Sequence, residues 1–577
     1  MSNGTRLPFG EDARRGLPRS NHLSKYAIGL DYGTNSVRAV LADITSGAEL
    51  ATSVFPYPHG KAGIMLDERD PDVARQHPQD YLDGALSVIT GVLHEAASHL
   101  GFSPDQVVGL GIDTTGSTPI PVDETGLPLA LTPEFADNLA AMVYLWKDHT
   151  GHAEAAQITE LASQIRPEYL AKCGGIYSSE WYWSKVLRCA HANPDVFDAA
   201  YTWVEHADWL PAVLTGTTHP DTLKRGICAA GHKAMFHPNW GGYPDAEFLE
   251  QLDERLVRLR STLPNVAYPA GVAAGTLSTE WAVKTGLQAG IAVSVGAFDA
   301  HLGGVGSGIK PGALVKNIGT STCDMMVSPL DSGLGDIPGL CGIVPESILP
   351  GFFGLEAGQS AVGDIFNWFV NGIQPAGLGH QELTAGAEKL APGESGLLAL
   401  DWHNGNRTIL VDQRLTGTII GLNLYTTPAD MYRAWIEATA FGARVIMERF
   451  EEYGQTVEHI INCGGISVKN PLVMQIYADI MGKPISISRS TQTAALGSAI
   501  AGAVAAGAFT SFAEATDKMT ALLPRTFEPN PENQLTYNRL YLLYRRVHDA
   551  FGVKGTQDDL SDVMKELLTI RDEVRHV

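Results

Sequence analysis

The chain has 577 residues, of which 44% are hydrophobic and 18% are charged, and its formal net charge is −23. A chain of this length exceeds what one hydrophobic core normally supports, so we expect at least two globular domains. The acidic balance, without any long Lys/Arg run, argues against nucleic acid or a membrane surface as a partner.

Two features of the sequence concern the compartment. The six cysteines are scattered and form no CxxC pair, which is typical of a reducing compartment such as the cytoplasm. Residues 1–24 are polar, interrupted by proline and without the apolar core of a signal peptide. We therefore predict a disordered tail at 1–24 and a cytoplasmic protein.

Alternating strand and helix patterns predict a first α/β domain over residues 25–290. Two apolar runs, AIGL and VRAVLAD, flank the turn DYGTNS (31–36) and predict a hairpin. An amphipathic helix follows at 77–100. The next predicted strand, VVGLGID (107–113), ends in the Thr/Gly-rich sequence TTGST.

The second predicted domain covers residues 291–550 and begins with the apolar strand IAVSVGAF (291–298), which leads into Asp299. It echoes the first domain: GALVKNIGTSTCDMMV resembles the first hairpin, and EHIINCGGISVK resembles QVVGLGIDTTGS. This self-similarity suggests a duplicated fold whose halves face each other across a cleft. Chance similarity is the alternative.

The Ala/Gly-rich stretch that starts at Thr491 is long and uncharged, and we interpret it as a buried, tightly packed helix rather than a membrane span. Residues 551–577 are predicted to form a C-terminal helical tail.

The two Gly-Thr turns, GTNS at 33–36 and GTST at 319–322, suit a polyphosphate. Glycine allows close approach, and backbone N–H groups and hydroxyls donate to anionic oxygens. Each turn alone could be an ordinary hairpin turn. Other phosphate-binding patterns, the GxxxxGK[ST] loop and the HRD and DFG kinase motifs, do not occur.

Asp299 and Asp31 each follow a predicted strand. Asp299 is either the N-cap of a helix or a general base that accepts a hydroxyl proton during phosphoryl transfer. Asp31 either caps its own turn or holds Mg²⁺. The residues alone do not choose between these roles.

Taken together, DYGTNS with Arg38, the strand-end Asp299, GTST, and GGIS (464–467) with Asn470 resemble the FGGY carbohydrate kinases of the sugar kinase/Hsp70/actin superfamily. The motifs match in order from about residue 25 to 550. The resemblance implies an α/β fold with two duplicated ribonuclease H-like (actin-like ATPase) domains around an interdomain cleft, with the sugar mainly on the first domain and ATP mainly on the second.

Residue roles follow from the same resemblance. Asp299 matches the catalytic base of the family, and Asp31 and Asp299 would hold Mg²⁺. The residues implied in ATP binding are Gly33, Thr34, Asn35, Ser36, Arg38, Gly319, Thr320, Gly358, Gly464, Gly465 and Asn470. Of these, Gly464, Gly465 and Asn470 would border the adenosine, with Gly358 near it.

The implied substrate is a ketopentose, contacted by Trp146, Asp148, Lys233, Asp299 and Glu356. Lys233 and Glu356 lie among small and apolar neighbours, and a buried charge needs a partner. We expect sugar hydroxyls to be that partner for both.

Three alternatives stay open at this point. The substrate could differ from the implied ketopentose and be that of any other FGGY kinase, such as D-ribulose, xylulose, ribitol or glycerol. The chain could instead be an actin/Hsp70-like ATPase without a sugar substrate, or a silent sugar sensor. The sequence also leaves the oligomeric state open, with a homodimer as one arrangement.

Overall fold

A computed structural model of the chain describes residues 25–575 and contains two seven-stranded sheets, one in each half. The tail predicted at 1–24 lies outside the described residues. Within 25–575, no helix is long and apolar enough to cross a membrane, so the Ala/Gly-rich stretch is not a span.

Twelve strands and eleven α-helices make up the first half. The strands are β1 Tyr26–Tyr32, β2 Ser36–Asp43, β3 Glu49–Pro56, β4 Met65–Asp67, β5 Asp70–Gln76, β6 Val107–Thr114, β7 Pro119–Val122, β8 Val143–Tyr144, β9 Thr202–Glu205, β10 Ala273–Thr276, β11 Ala292–Ser294 and β12 Ala297–Phe298. The helices are α1 Pro78–Ala96, α2 His152–Ile165, α3 Pro167–Ala171, α4 Tyr182–Ala192, α5 Pro194–Ala199, α6 His206–Thr215, α7 Ile227–Lys233, α8 Ala246–Leu252, α9 Arg255–Ser261, α10 Thr279–Thr285 and α11 Asp299–Gly306.

Nine strands and nine α-helices follow in the second half. The strands are β13 Ala313–Ile318, β14 Thr322–Pro329, β15 Gly342–Pro345, β16 Phe352–Ala357, β17 Leu398–Leu400, β18 Thr418–Ile420, β19 His459–Cys463, β20 Ile485–Ser488 and β21 Leu522–Phe527. The helices are α12 Gly363–Asn367, α13 His380–Ala387, α14 Pro428–Glu452, α15 Gly465–Lys469, α16 Pro471–Met481, α17 Thr493–Ala505, α18 Phe512–Met519, α19 Pro531–Gly552 and α20 Val563–Arg575.

The two large sheets have the same topology, which confirms the predicted duplication. In the first sheet β3, β2 and β1 are antiparallel neighbours, and β6 and β11 continue in parallel from β1. In the second, β16, β14 and β13 are antiparallel, and β19 and β20 continue in parallel from β13. The predicted pairs of matching segments therefore form matching strands, and the fold is the expected pair of ribonuclease H-like domains.

Helix α17 belongs to the second half of the chain but packs directly on the first sheet. An added Cβ at Gly111 would lie 1.7 Å from the carbonyl oxygen of Ser498, and one at Gly29 would lie 1.7 Å from that of Ala495. Backbone therefore touches backbone where β1 and β6 cross the helix, a contact that only glycine allows. This confirms the prediction of a buried, tightly packed helix and gives its reason.

The structure corrects two of the predicted domain boundaries. The boundary near residue 290 is corrected to the segment between α11 and β13, because residues 292–298 form β11 and β12, which both pair with β6. The C-terminal tail at 551–577 is part of the second core, since Val563, Leu567 and Ile570 of α20 are buried in it. Short apolar strands and amphipathic helices do not reveal their partners in sequence.

Replacing Gly111 by alanine should destabilise the protein by about 1–3 kcal/mol or more, because the new methyl group overpacks the contact with α17. Thermal and urea denaturation measure the effect. The matched control is Gly335→Ala, at an exposed glycine with nothing within 4 Å of the added Cβ, where we expect a change within about 0.5 kcal/mol. Equal stability of the two variants would refute the close contact.

Candidate active site

Three carboxylates meet at one edge of the first sheet. Asp31 lies in β1, Asp113 in β6, and Asp299 begins α11 directly after β12. Strands β1 and β12 both run parallel to β6, and Asp31 lies opposite Asp113 in register. Parallel strands end at the same edge, so the predicted base and the predicted metal ligand are brought together, with Asp113 beside them.

Burial and mutual repulsion raise the pKa values of these acids. Burial raises the pKa of Asp113 well above 3.8, and the charge of Asp31 adds to the rise. Burial, and to a smaller extent the negative charge of Asp31, raises the pKa of Asp299 to about 7. Burial also raises the pKa of Asp31, against the opposing charge of Arg38, whose Nε lies 3.4 Å from Asp31 Oδ2. Crowded buried carboxylates of this kind call for a cation.

The carboxylate cluster also offers vacant oxygen ligands. Asp113 Oδ2 accepts a hydrogen bond from Ser498 Oγ at 2.6 Å, whereas its buried Oδ1 has no partner among the described residues. Mg²⁺ prefers such carboxylate oxygens, but the oxygens of Asp31, Asp113 and Asp299 do not all lie within 4.8 Å of one another, so these residues are candidate ligands and not a formed site. The sequence prediction missed Asp113, although its position at the end of a strand, like that of Asp31, was a usable signal.

Both Gly-Thr turns face one cavity of about 280 Å³. In the first turn Gly33 N–H donates to Ser36 O at 3.0 Å, and in the second Gly319 N–H donates to Ser321 O at 2.9 Å. The lining of the cavity includes Thr34, Trp146, Glu180, Lys233, Asp299, His301, Asn317, Gly319, Thr320, Ser321, Glu356 and Arg407. The structure thus brings both turns and Asp299 together.

The rest of the first turn lies outside the lining of this cavity. Asn35 is exposed and its amide donates to Ala62 O at 2.7 Å. Ser36 starts β2, and Arg38 is the partner of Asp31. Their roles in ATP binding stay predictions.

The predicted adenosine residues of the second half lie beside the second turn. Gly464 has φ +94°, and a Cβ there would lie 2.3 Å from Ile318 O, which directly precedes that turn. Gly465 begins α15, and Asn470 caps α16 by accepting from Val473 N–H at 3.3 Å. These residues surround the carboxyl end of β19, where a ligand of a parallel sheet is expected.

Gly358 follows β16 and lies between Thr408 and Thr322, the last residue of the second turn, because a Cβ there would lie 2.1 Å from Thr322 O. The Thr408 hydroxyl donates to Gly358 O at 2.8 Å and accepts from Gly358 N–H at 2.9 Å. Its place beside adenosine stays a prediction.

The opposite wall of the cavity carries a compact set of charges. Lys233 Nζ donates to Glu356 Oε1 at 2.9 Å, while His232 Nδ1 and His301 Nε2 lie 3.2 and 3.3 Å from Glu356 Oε2. Burial opposes ionisation of Glu356, but Lys233 and His301 hold its pKa well below the usual range. We expected sugar hydroxyls as the partner of each charge; Lys233 and Glu356 are each other's partner, and both still line the cavity.

Trp146 connects this wall to the first turn, since its Nε1–H donates to Thr34 Oγ1 at 3.0 Å. It also lines a larger cavity of about 1000 Å³ that shares Lys233, Glu356 and Thr320 with the smaller one. The shared lining comes from both halves of the chain, so the cleft is an interdomain cleft as predicted.

Asp148 lies behind the cleft rather than in its lining. It is fully buried and forms an ion pair with Arg75, and its oxygens accept from Ala74 N–H at 2.8 Å and Thr150 Oγ1 at 2.6 Å. The predicted sugar contact is therefore replaced by a structural one, in which Asp148 anchors the segment that carries Trp146.

The chain belongs to the FGGY family of carbohydrate kinases. Residues 26–306 match the N-terminal domain of the family and residues 314–506 match the C-terminal domain. The chain is therefore an ATP-dependent carbohydrate kinase.

The chain is similar over most of its length to individual members of this family. The chain is 43% identical over 563 residues to a ribulokinase of Geobacillus thermodenitrificans, covering 94% of this chain and 96% of that protein. It is 42% identical to a ribulokinase of Vibrio parahaemolyticus, covering 91% and 96%. The crystal structure of xylulose kinase from Rhodospirillum rubrum superposes with a TM-score of 0.75 at 22% identity, covering 91% of this chain and 99% of that one, which shows the shared fold.

Asp113→Asn should stabilise the metal-free protein increasingly as pH rises. Because the folded-state pKa of Asp113 lies above 3.8, the folded protein binds its proton more tightly than the unfolded chain. Its ionisation therefore costs stability from about pH 4 upward, until the raised folded pKa is passed. Asparagine does not ionise, so its advantage in Tm over the parent should grow with pH when both are measured with EDTA.

The control is Asp331→Asn, at an exposed aspartate, where a difference in Tm that is constant with pH is expected. A constant difference for Asp113→Asn as well would contradict the repulsion described above.

Proposed function

We propose that the protein transfers the γ-phosphoryl group of ATP to the terminal hydroxyl of L-ribulose, a step of L-arabinose catabolism that yields L-ribulose 5-phosphate and ADP. The observation that carries this proposal is that Asp299 shares one cavity with both Gly-Thr turns and with the Lys233–Glu356 pair. The ribulokinase names of the relatives, at 42–43% identity over more than 90% of the chain, support this sugar.

Asp299 is the base in this proposal. Its carboxylate accepts the proton of the sugar hydroxyl while the oxygen forms a bond to the γ-phosphorus and the bond from that phosphorus to ADP breaks. A pKa of about 7 suits this role, because such a group both ionises near neutrality and holds a proton well.

The two turns hold the phosphates. Backbone N–H groups and hydroxyls of Thr34 and Thr320 donate to phosphate oxygens from opposite halves of the chain, which fixes the γ-phosphorus in line with the sugar oxygen. Closure of the halves around the cleft excludes water, which would otherwise accept the phosphoryl group.

We infer that Mg²⁺ is held by the carboxylates of Asp31, Asp113 and Asp299. When bound, the ion would neutralise charge on the phosphate oxygens. The charge of Arg38 favours the ionised form of Asp31, and Ser498 orients Asp113.

The sugar binds to the side of the cavity formed by Trp146, Lys233 and Glu356. The ammonium group donates and the carboxylate accepts, so the pair can bind adjacent hydroxyls of a ketose in one orientation. A non-kinase ATPase of the actin/Hsp70 type would need neither this pair nor a base at Asp299. We further propose a homodimer in the cytoplasm.

A panel of sugars tests the proposal. Coupled ADP-release assays with L-ribulose, D-ribulose, xylulose, ribitol and glycerol should give the highest kcat/KM for L-ribulose. A higher value for another polyol would move the assignment to that sugar. A rate of ADP release that is the same with and without each polyol would favour the non-kinase ATPase.

Asp299→Asn should lower kcat by about 10²–10⁴-fold while ATP binding is kept, because the amide cannot accept the proton. Steady-state kinetics and calorimetric titration with ATP measure the two effects. The control is Asp331→Asn, outside the cleft, with kcat as in the parent. Near-normal turnover of Asp299→Asn would remove Asp299 from the role of base.

A further inference from the structure

Arg407 is a cation of the cleft to which neither the sequence motifs nor the comparisons assign a role. It lies in the loop between β17 and β18 and lines the cavity of about 280 Å³ together with Asp299, Thr320 and Glu356. It also lines the larger cavity of about 1000 Å³.

The cationic side chains around the smaller cavity differ in how they are neutralised. Lys233 and His301 both contact the carboxylate of Glu356. Over residues 25–575, by contrast, no carboxylate oxygen lies within 4.0 Å of the nitrogens of Arg407, so its charge has no ion-pair partner. Arg407 is therefore a cation of the cavity wall that has no ion-pair partner among residues 25–575, although Glu180 belongs to the same lining.

The guanidinium group of Arg407 is held in place yet keeps free donors. Its Nη2 donates to the carbonyl oxygen of Thr322, the last residue of the second Gly-Thr turn, and its buried Nε has no partner within the described part of the chain. A Cβ at Gly358 would lie 2.7 Å from Nη2, so glycine at this position leaves room for the group.

The loop that presents Arg407 is tightly fixed. Thr408 exchanges two hydrogen bonds with Gly358, and Ile409 N–H donates to Gly339 O at 2.9 Å. Ile409 and Val411 have φ values of +83° and +50°, which β-branched residues adopt only when surrounding contacts impose them. Strain of this kind is concentrated at functional sites, where it holds a group in a set position.

We propose that Arg407 is a catalytic residue that binds the non-bridging oxygens of the phosphoryl group as it passes from ATP to the sugar. A guanidinium group matches two oxygens of a phosphoryl group in a planar fork, and its position between the second turn and the sugar wall suits the path of transfer. The inference rests on the proposed kinase function but does not depend on which sugar is used.

Kinetics of Arg407→Ala and Arg407→Lys test the proposal, with the sugar that the parent protein phosphorylates fastest. We expect kcat to fall by about 100-fold or more in both variants. Alanine removes the charge and the guanidinium group, and lysine keeps the charge but not the planar arrangement of donors that stabilises the transition state. KM values for ATP and sugar should change far less than kcat. Guanidinium chloride at low concentration should restore part of the kcat of Arg407→Ala, and its Tm should stay close to that of the parent.

The matched control is Arg525→Gln, which removes an exposed arginine of β21 that lines neither cavity and should keep the parental kcat and show no response to guanidinium. An unchanged kcat in Arg407→Ala, or a reduced kcat that guanidinium does not restore, would overturn the proposal. A wrong sugar assignment would instead appear in the parent protein, so the two failures are distinguishable.

Discussion

The contact of α17 with the first sheet is the constraint on which the rest of the structure depends. A helix from the second half crosses β1 and β6 so closely that backbone meets backbone at Gly29 and Gly111. This contact sets the relative position of the two halves close to Asp31 and Asp113, each of which lies one residue before the end of its strand. Ser498 of the same helix donates to Asp113. The helix that joins the two halves therefore also positions one of the three buried aspartates.

The duplication explains why the two halves contribute differently to the site. Counting back from each Gly-Thr turn, Asn317 in the second half corresponds to Asp31, and its register partner Cys463 corresponds to Asp113. The same backbone therefore carries an acidic pair in one half and a neutral pair in the other. At this strand edge only the first half carries a carboxylate pair, while the corresponding edge of the second half has no charge that would repel an anion.

The sequence predicted those features that depend on local pattern. Both hairpins and the buried helix follow from apolar runs and small residues, and Asp299 follows from its place after a strand. The partners of Lys233, Glu356 and Asp148 could not be predicted, because each is set by contacts between residues far apart in the chain. Similarly, no local motif marks Arg407, because what distinguishes it is that residues 25–575 provide no ion-pair partner for it.

The charges of the cleft also bear on how a polyphosphate can bind to a protein with a net charge of −23. Glu356 contacts two nearby cations, and Asp31, Asp113 and Asp299 lie at the sheet edge next to the first turn. A bare triphosphate would be repelled by these carboxylates, so the nucleotide has to arrive with its own counter-ion or after one has bound. In the proposed mechanism the binding of nucleotide and the binding of metal are therefore energetically coupled, and the backbone donors of the two turns orient the phosphates.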